Sequence, residues 1–388
     1  MTSELRVLLK KEHKENLYDE ICRKIDEIAN DDNIKKKDFH NAIIGIIKSD
    51  INKMNKRKYP WSTTETFFRI KFFWNKLVKK QNTIMERYND YKILDGLAEI
   101  TGILYPKYNF KIDEGILGPN DPDKNKKTIE DLNSKGYHIF KNKLSEEICD
   151  NIVKAIGNKP FWNKNKQGLV NGLQFDKAKG NTYYIFKQQY ASDVPEIQEV
   201  LMDPTLLNVV QEFLKGAPIL TSCNIWWSVN FNKNSGELSR AAQSYHQDME
   251  FIKFVKVFVY LNDVKAENGP HVYVPGSVKN LQLPDKYAAS QRISDEFIEE
   301  KYGKDTVKEF VGEKGTVIIE DTYGYHKGKP VDEGHRTILQ LCFAVSLHTG
   351  RIDLTHPREI LYNNKKYSKK LKGMIDKFPR MFSQHYLK

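Results

Sequence analysis

Apolar residues follow two rhythms along the 388-residue chain. As far as about residue 115 they recur every three or four positions, as in Leu17, Ile21, Ile25 and Ile28, and again in Phe67, Ile70, Trp74, Leu77 and Val78. That period lines up one stripe of an α-helix, so this part is expected to be mostly helical. Ser62, Thr63 and Thr64 ahead of Glu65 form a helix-start signal. The stretch 118–127 is polar, with two prolines and no apolar residue, and reads as a linker. Beyond it, Gly136 to Phe140 predicts a short strand, Leu144 to Ile156 a helix, and Pro204 to Leu214 another helix closed by Lys215 and Gly216. Five segments rich in β-branched and aromatic residues then predict strands: 219–231, 255–261, 271–274, 315–320 and 337–345. Turn signals at 268–270, 275–276, 313–315 and 332–334 separate them, and 294–302 reads as a helical insert. Many short strands with polar turns predict a sandwich or jelly roll.

Composition narrows the class. Aromatic residues make up 12% of the chain, enough for a sizeable core, which excludes a disordered tail or a fibrous repeat. No apolar run approaches the ~18 residues of a membrane span, and the charged first residues lack the apolar segment of a secretory signal. Cys22, Cys149, Cys223 and Cys342 lie far apart, which argues against a disulfide scaffold or a thiolate zinc site. A soluble protein of a reducing, cytoplasmic compartment is expected. The net charge of +11 is concentrated between Lys53 and Lys80, where nine basic residues face one acid, Glu65. Such a run is ordinarily a solvated face. It is also what a surface for nucleic acid or another polyanion would need, so nucleic acid is disfavoured as a partner without being excluded.

The chemistry sits in the strand-rich half. The chain has one His-x-Asp triplet, His246-Gln247-Asp248, which taken alone means little. On a strand, however, residues two apart point to the same side, so an imidazole and a carboxylate can hold one cation. This is the short limb of a two-His, one-carboxylate facial triad, which leaves positions open and suits Fe(II) with a co-substrate and O2. A third ligand must come from a distant strand, and His326 follows the strand-like run 316–325. Ten residues on, Arg336 opens the next strand, where a guanidinium can bind a dicarboxylate through both oxygens.

Tyr245-His-Gln-Asp248, the run from Asn268-Gly-Pro270 to Pro275-Gly-Ser277, Gly315-Thr316, His326-Lys-Gly328 and Arg336 together resemble the phytanoyl-CoA dioxygenase family of Fe(II)/2-oxoglutarate oxygenases. The resemblance spans about residues 128–345. It implies a double-stranded β-helix, a cupin-like jelly roll, with flanking helices over 128–350. A helical extension and linker over 1–127 would precede it, and a basic tail over 351–388 would follow. It implies that His246, Asp248 and His326 bind iron and that Arg336 binds the far carboxylate of 2-oxoglutarate. The family places a small polar residue just after the distal histidine; Lys327 departs from that, and Gly328 stands there as a co-substrate contact. Asn224 is the candidate for a further polar contact, with Asn230 as the other choice. Trp226 and Trp227 are adjacent on a strand and so face opposite sides, one in the core and one at the barrel mouth, with Trp227 the candidate for substrate. Tyr184 and Gln188 lie where the family has substrate-side loops. Because Asp248 is an acid, hydroxylation is favoured over halogenation. The implied reaction oxidises a C–H bond of a small molecule and releases succinate and CO2. The same chemistry on a macromolecule docked along 53–80, or a silent β-helix used for binding, are the other readings. The extension is expected to pack outside the core, away from the metal, with Phe67, Phe68, Phe72, Phe73 and Trp74 buried.

Overall fold

The computed structural model describes Val7, Leu9, residues 15–31, Ile43, Ile44, and residues 91–110, 114–163, 168–171, 183–186, 191, 193–230, 243–283, 292–347 and 367–382. The basic run 53–80, its aromatic cluster and Gln188 lie outside these residues.

The polar stretch expected to be a linker is instead a helix start. Asp121 accepts backbone N–H groups of Asp123 and Lys124, and Pro122 fills the first turn, where a missing N–H costs nothing. The helix α3 (Pro122–Lys135) follows two others, α1 (Tyr18–Asp31) and α2 (Tyr91–Leu104). It ends where Gly136 turns to φ 90° and returns its N–H to Asp131 and Leu132. Behind it come β1 (Tyr137–Ile139) and α4 (Glu146–Ile156), the latter capped by Ser145. The chain then forms β2 (Pro160–Asn163), β3 (Gly168–Asn171), β4 (Tyr183–Phe186), α5 (Pro195–Leu201), and α6 (Pro204–Leu214) with Asp203 as its cap. The long strand β5 (Ile219–Val229) leads to β6 (Phe254–Tyr260), β7 (His271–Tyr273), α7 (Asp295–Tyr302), β8 (Lys308–Phe310), β9 (Val317–Glu320), β10 (His326–Gly328) and β11 (His335–Ala344). A last helix, α8, spans Lys369–Lys377.

The strands make two antiparallel sheets: eight strands in the order β1-β9-β6-β11-β5-β4-β2-β3, and three in the order β10-β7-β8. This corrects the expected closed β-helix or cupin-like jelly roll. Among the described elements helical residues outnumber strand residues, and both sheets are open. A barrel needs a ladder that returns to its first strand. Here β1 and β3 are free edges of the large sheet among the described residues, and the small sheet's strands are three residues each, too short to bridge the gap.

Strand alternation gives the large sheet two different faces. Trp227, Val257 and Leu341 point outward into a core shared with Ile152 of α4, Leu201 of α5, Val210 of α6, and Leu371 and Ile375 of α8. The basic segment at the end of the chain is therefore part of the main core, and Leu220 of β5 donates its N–H to Met381. On the inward face, Phe258, Tyr260, Ile318 and Ile338 meet Tyr273 and Phe310 of the small sheet. Polar residues lie on the same inward face, and there the site forms.

The extension is also not where it was expected. Ile21 and Ile25 of α1 pack with Leu94, Leu97, Ile100 and Leu104 of α2, and both helices close over Met249, Ile252 and Tyr323. The extension does pack on the core domain, but beside the loop that follows Asp248, not away from the candidate metal site.

Candidate metal centre

His246 and His326 are directly opposed in an isolated antiparallel bridge, each donating its N–H to the other's carbonyl at 3.0 and 3.1 Å. Opposed residues project to the same side, so the two imidazoles lie next to one another with ring centroids 4.3 Å apart. Asp248, two residues on, joins them, and one donor atom from each of the three lies within 4.8 Å of the others. His246 Nδ1 faces the Ser244 carbonyl at 2.9 Å, and His326 Nδ1 faces that of Gly324 at 2.9 Å. A carbonyl only accepts, so both Nδ1 atoms carry hydrogen, which leaves the Nε2 atoms as the ones to meet a metal. The Nε2 atoms turn toward Asp248, at 3.8 Å for His246 and 3.3 Å for His326.

The charge states suit a cation. Burial and the neighbouring His326 push the His246 imidazole well below its ordinary value, so it is neutral near pH 7. Burial raises the Asp248 carboxyl, but the Lys256 ammonium and the two imidazoles outweigh it, leaving that carboxyl well below the usual range. Lys256 Nζ donates to Asp248 Oδ2 at 2.6 Å and to Glu250 at 2.7 Å. Two imidazoles and one carboxylate, each oriented by a hydrogen bond, are a donor set that fits a divalent first-row metal.

Arg336 is buried on the inward face of β11, opposite Ser228 of β5. Its guanidinium donates to the Gly269 carbonyl and reaches Ser228 Oγ at 3.4 Å. Its Nε has no partner, and no carboxylate pairs with it among the described residues. A buried cation without a counter-charge is costly, so this one is suited to an incoming anion. Gly328 lies against it: a Cβ there would sit 2.8 Å from Arg336 Nη2. Arg336 and Gly328 therefore come together, and β10 links both to His326.

The remaining candidates divide. Asn224 is opposite Gln340 on β11, four residues along β5 from Ser228 and on the same face as it. Trp227 is corrected: it points to the helical core on the outward face, whereas Trp226 lies inward against Phe258 and Tyr260. Tyr184 pairs with Trp227 in the ladder of β4 and β5. Asn230 donates to the Asp332 carbonyl. Lys327 points away from the site, paired with Asp295 at 2.6 Å and lying over the Tyr245 ring.

The site also holds residues that sequence reasoning missed. Lys256 had a signal: a lone lysine in Phe-Val-Lys-Val-Phe-Val-Tyr, at an inward position of an otherwise apolar strand. Ser228 had none beyond its alternation. His271 stacks on His326 at 5.6 Å, and its Nε2 meets Glu320 at 2.8 Å. Burial pushes the Glu320 carboxyl up to about 8 and the His271 imidazole well down, so this pair is a neutral acid against a neutral imidazole.

Residues 132–336, more than half of the chain, match the phytanoyl-CoA dioxygenase family, and the chain belongs to that family. It is accordingly an Fe(II)/2-oxoglutarate-dependent dioxygenase. Among solved structures it is similar to AviO1 from Streptomyces viridochromogenes Tue57, with 15% identity, 57% of this chain and 94% of that one covered, and a TM-score of 0.37. HygX from Streptomyces hygroscopicus, solved with nickel, 2-oxoglutarate and hygromycin B, shows 13% identity over 56% of this chain and 86% of that one, at a TM-score of 0.40. The epimerase SnoN, in complex with Fe3+, alpha ketoglutarate and nogalamycin RO, shows 15% identity over 58% and 84%, also at 0.40. No curated protein matches the chain. No helix among the described residues is long and apolar enough to cross a membrane.

Proposed function

We infer that the enzyme oxidises a C–H bond of a small molecule, with Fe(II) held by His246, Asp248 and His326 and 2-oxoglutarate held by Arg336. The observation that carries this reading is the buried Arg336 guanidinium, which has no carboxylate partner among the described residues and lies against Gly328 on the strand of His326. Gly328, which touches it, is two residues from His326 on one strand, about 6.8 Å of extended chain. A backbone spacing of that order supports a five-carbon dicarboxylate with one end at the metal ligands and the other at the guanidinium.

Iron held by these residues together with 2-oxoglutarate and O2 would supply the oxidising power, the co-substrate ending as succinate and CO2. The chain's own residues do the rest. The carbonyls of Ser244 and Gly324 fix both histidine tautomers, and Lys256 holds one oxygen of Asp248 so that the other is presented to the cation. Arg336, with Ser228 beside it, orients the co-substrate by its distant carboxylate. Phe258, Tyr260 and Ile338 form an apolar wall that keeps water from the reacting atoms. The domain limits proposed are an oxygenase core over 128–350 preceded by the extension 1–127, with helix α3 bridging the two and 367–382 adding to the core, and the compartment proposed is the cytoplasm. Incubation with Fe(II) and 2-oxoglutarate should release succinate, and Asp248→Ala should abolish the release. Succinate formation by Asp248→Ala at the wild-type rate would overturn the assignment of the ligands. Mass spectrometry of a co-purified ligand is the direct route to the substrate.

A further inference from the structure

The turn from Asp321 to Tyr325 joins β9 to β10, and three consecutive carbonyls in it hold the metal-ligand segments. Thr322 accepts the Asp248 N–H at 2.9 Å, Tyr323 accepts the Gln247 side-chain amide at 2.8 Å, and Gly324 accepts from His326 Nδ1 at 2.9 Å. The turn is braced through Asp321. One carboxylate oxygen takes the Tyr323 N–H at 3.1 Å; the other takes the hydroxyl of Tyr91, at 3.0 Å. Tyr91 is the first residue of α2, well outside the stretch 132–336 that defines the family. It is itself held by Lys253 Nζ at 3.2 Å, and Lys253 is bound in turn by Asp95, one turn along the same helix. Asp95 and Glu99 also grip Lys215 at the end of α6, so α2 is tied to the core at both contacts.

We propose that Tyr91 is a positioning residue for the metal centre: the extension completes the site by fixing, through Asp321, the turn whose carbonyls orient Asp248 and His326. The inference rests on the metal assignment given above. A loose turn leaves the ligand atoms spread over several arrangements, and the metal must then select one.

The test uses the full chain and Co(II), a divalent ion that binds without turnover, with affinity read by calorimetry. His246→Ala should abolish binding; if it does not, the metal assignment itself fails. With that arm satisfied, Tyr91→Phe keeps the ring and loses the hydroxyl, and it should raise the Co(II) Kd by about 2- to 10-fold, the range one lost hydrogen bond supports. Ala98→Gly loosens the same helix on the side that faces the main core, away from the turn; it should lower the Tm and leave Kd within about 2-fold. An unchanged Kd in Tyr91→Phe, or an equal rise in Ala98→Gly, overturns the proposal. If Tyr91→Phe does not fold, hydrogen exchange on the wild-type chain decides. Coupling is reciprocal, so Co(II) should slow amide exchange within Tyr91–Leu104, and no slowing there overturns the proposal.

Discussion

Replacing Gly328 by alanine tests the co-substrate site through a single methyl group. The added Cβ would stand 2.8 Å from Arg336 Nη2 and 3.5 Å from its Cζ and Nη1. Ordinary contact begins near 3.4 Å, so the guanidinium must retreat by about 0.6 Å, the difference between 3.4 and 2.8 Å. Gly328 is not among the residues with positive φ, so alanine strains no backbone there. A misplacement of 1 Å can cost about 100-fold in a positioned reaction, so a shift of this size should raise the 2-oxoglutarate KM by about 10-fold. The assay is succinate release against 2-oxoglutarate concentration, with Co(II) affinity measured in parallel. The expected result is a raised KM with an unchanged Co(II) Kd, since His326 is two residues away and its ring is held by Gly324. An unchanged KM would show that the guanidinium does not hold the co-substrate. An equal loss in both measurements would show that β10 had moved as a whole.

Arg336→Lys keeps the charge and loses the two-pronged geometry, so the 2-oxoglutarate KM should rise by about 10-fold or more, while Co(II) affinity stays constant. Lys256→Met removes the ammonium that orients Asp248 and should weaken metal binding by about 10- to 100-fold in a calorimetric titration. Glu320 makes a pH prediction. Its folded value, about 8, lies above the ordinary 4.5, so its contribution to stability is complete below pH 4.5 and is lost as pH rises through 8. His271, lowered by burial, works the other way below pH 6.5, so the variant isolates the acid: Glu320→Gln should gain Tm relative to wild type as pH rises from 5 to 9, and a constant difference would refute the assignment.

The linear sequence determined the local elements and the identity of the chemical groups. Helix α6 begins at Pro204 and ends at Leu214, as its capping Asp203, its proline and its apolar period require, because those signals act within a few residues. Strands β5, β6, β9 and β11 fall within a few residues of their apolar runs for the same reason. His246, Asp248, His326 and Arg336 stood out because few residue types bind metals or dicarboxylates, and their order is that of a known family. Tertiary structure decided what depends on partners far along the chain. Whether sheets close depends on which edges meet, and here the open edges overrule the jelly roll expected from strand content and the β-helix the resemblance implied. Which of Trp226 and Trp227 faces the site depends on register, since a shift of one residue exchanges the faces. Lys256 reaches Asp248 because β6 runs under the loop before it, and Tyr91 reaches Asp321 across 230 residues because α2 closes over that turn. Local periodicity marks which face of a helix is apolar; only the packed molecule decides what that face will cover.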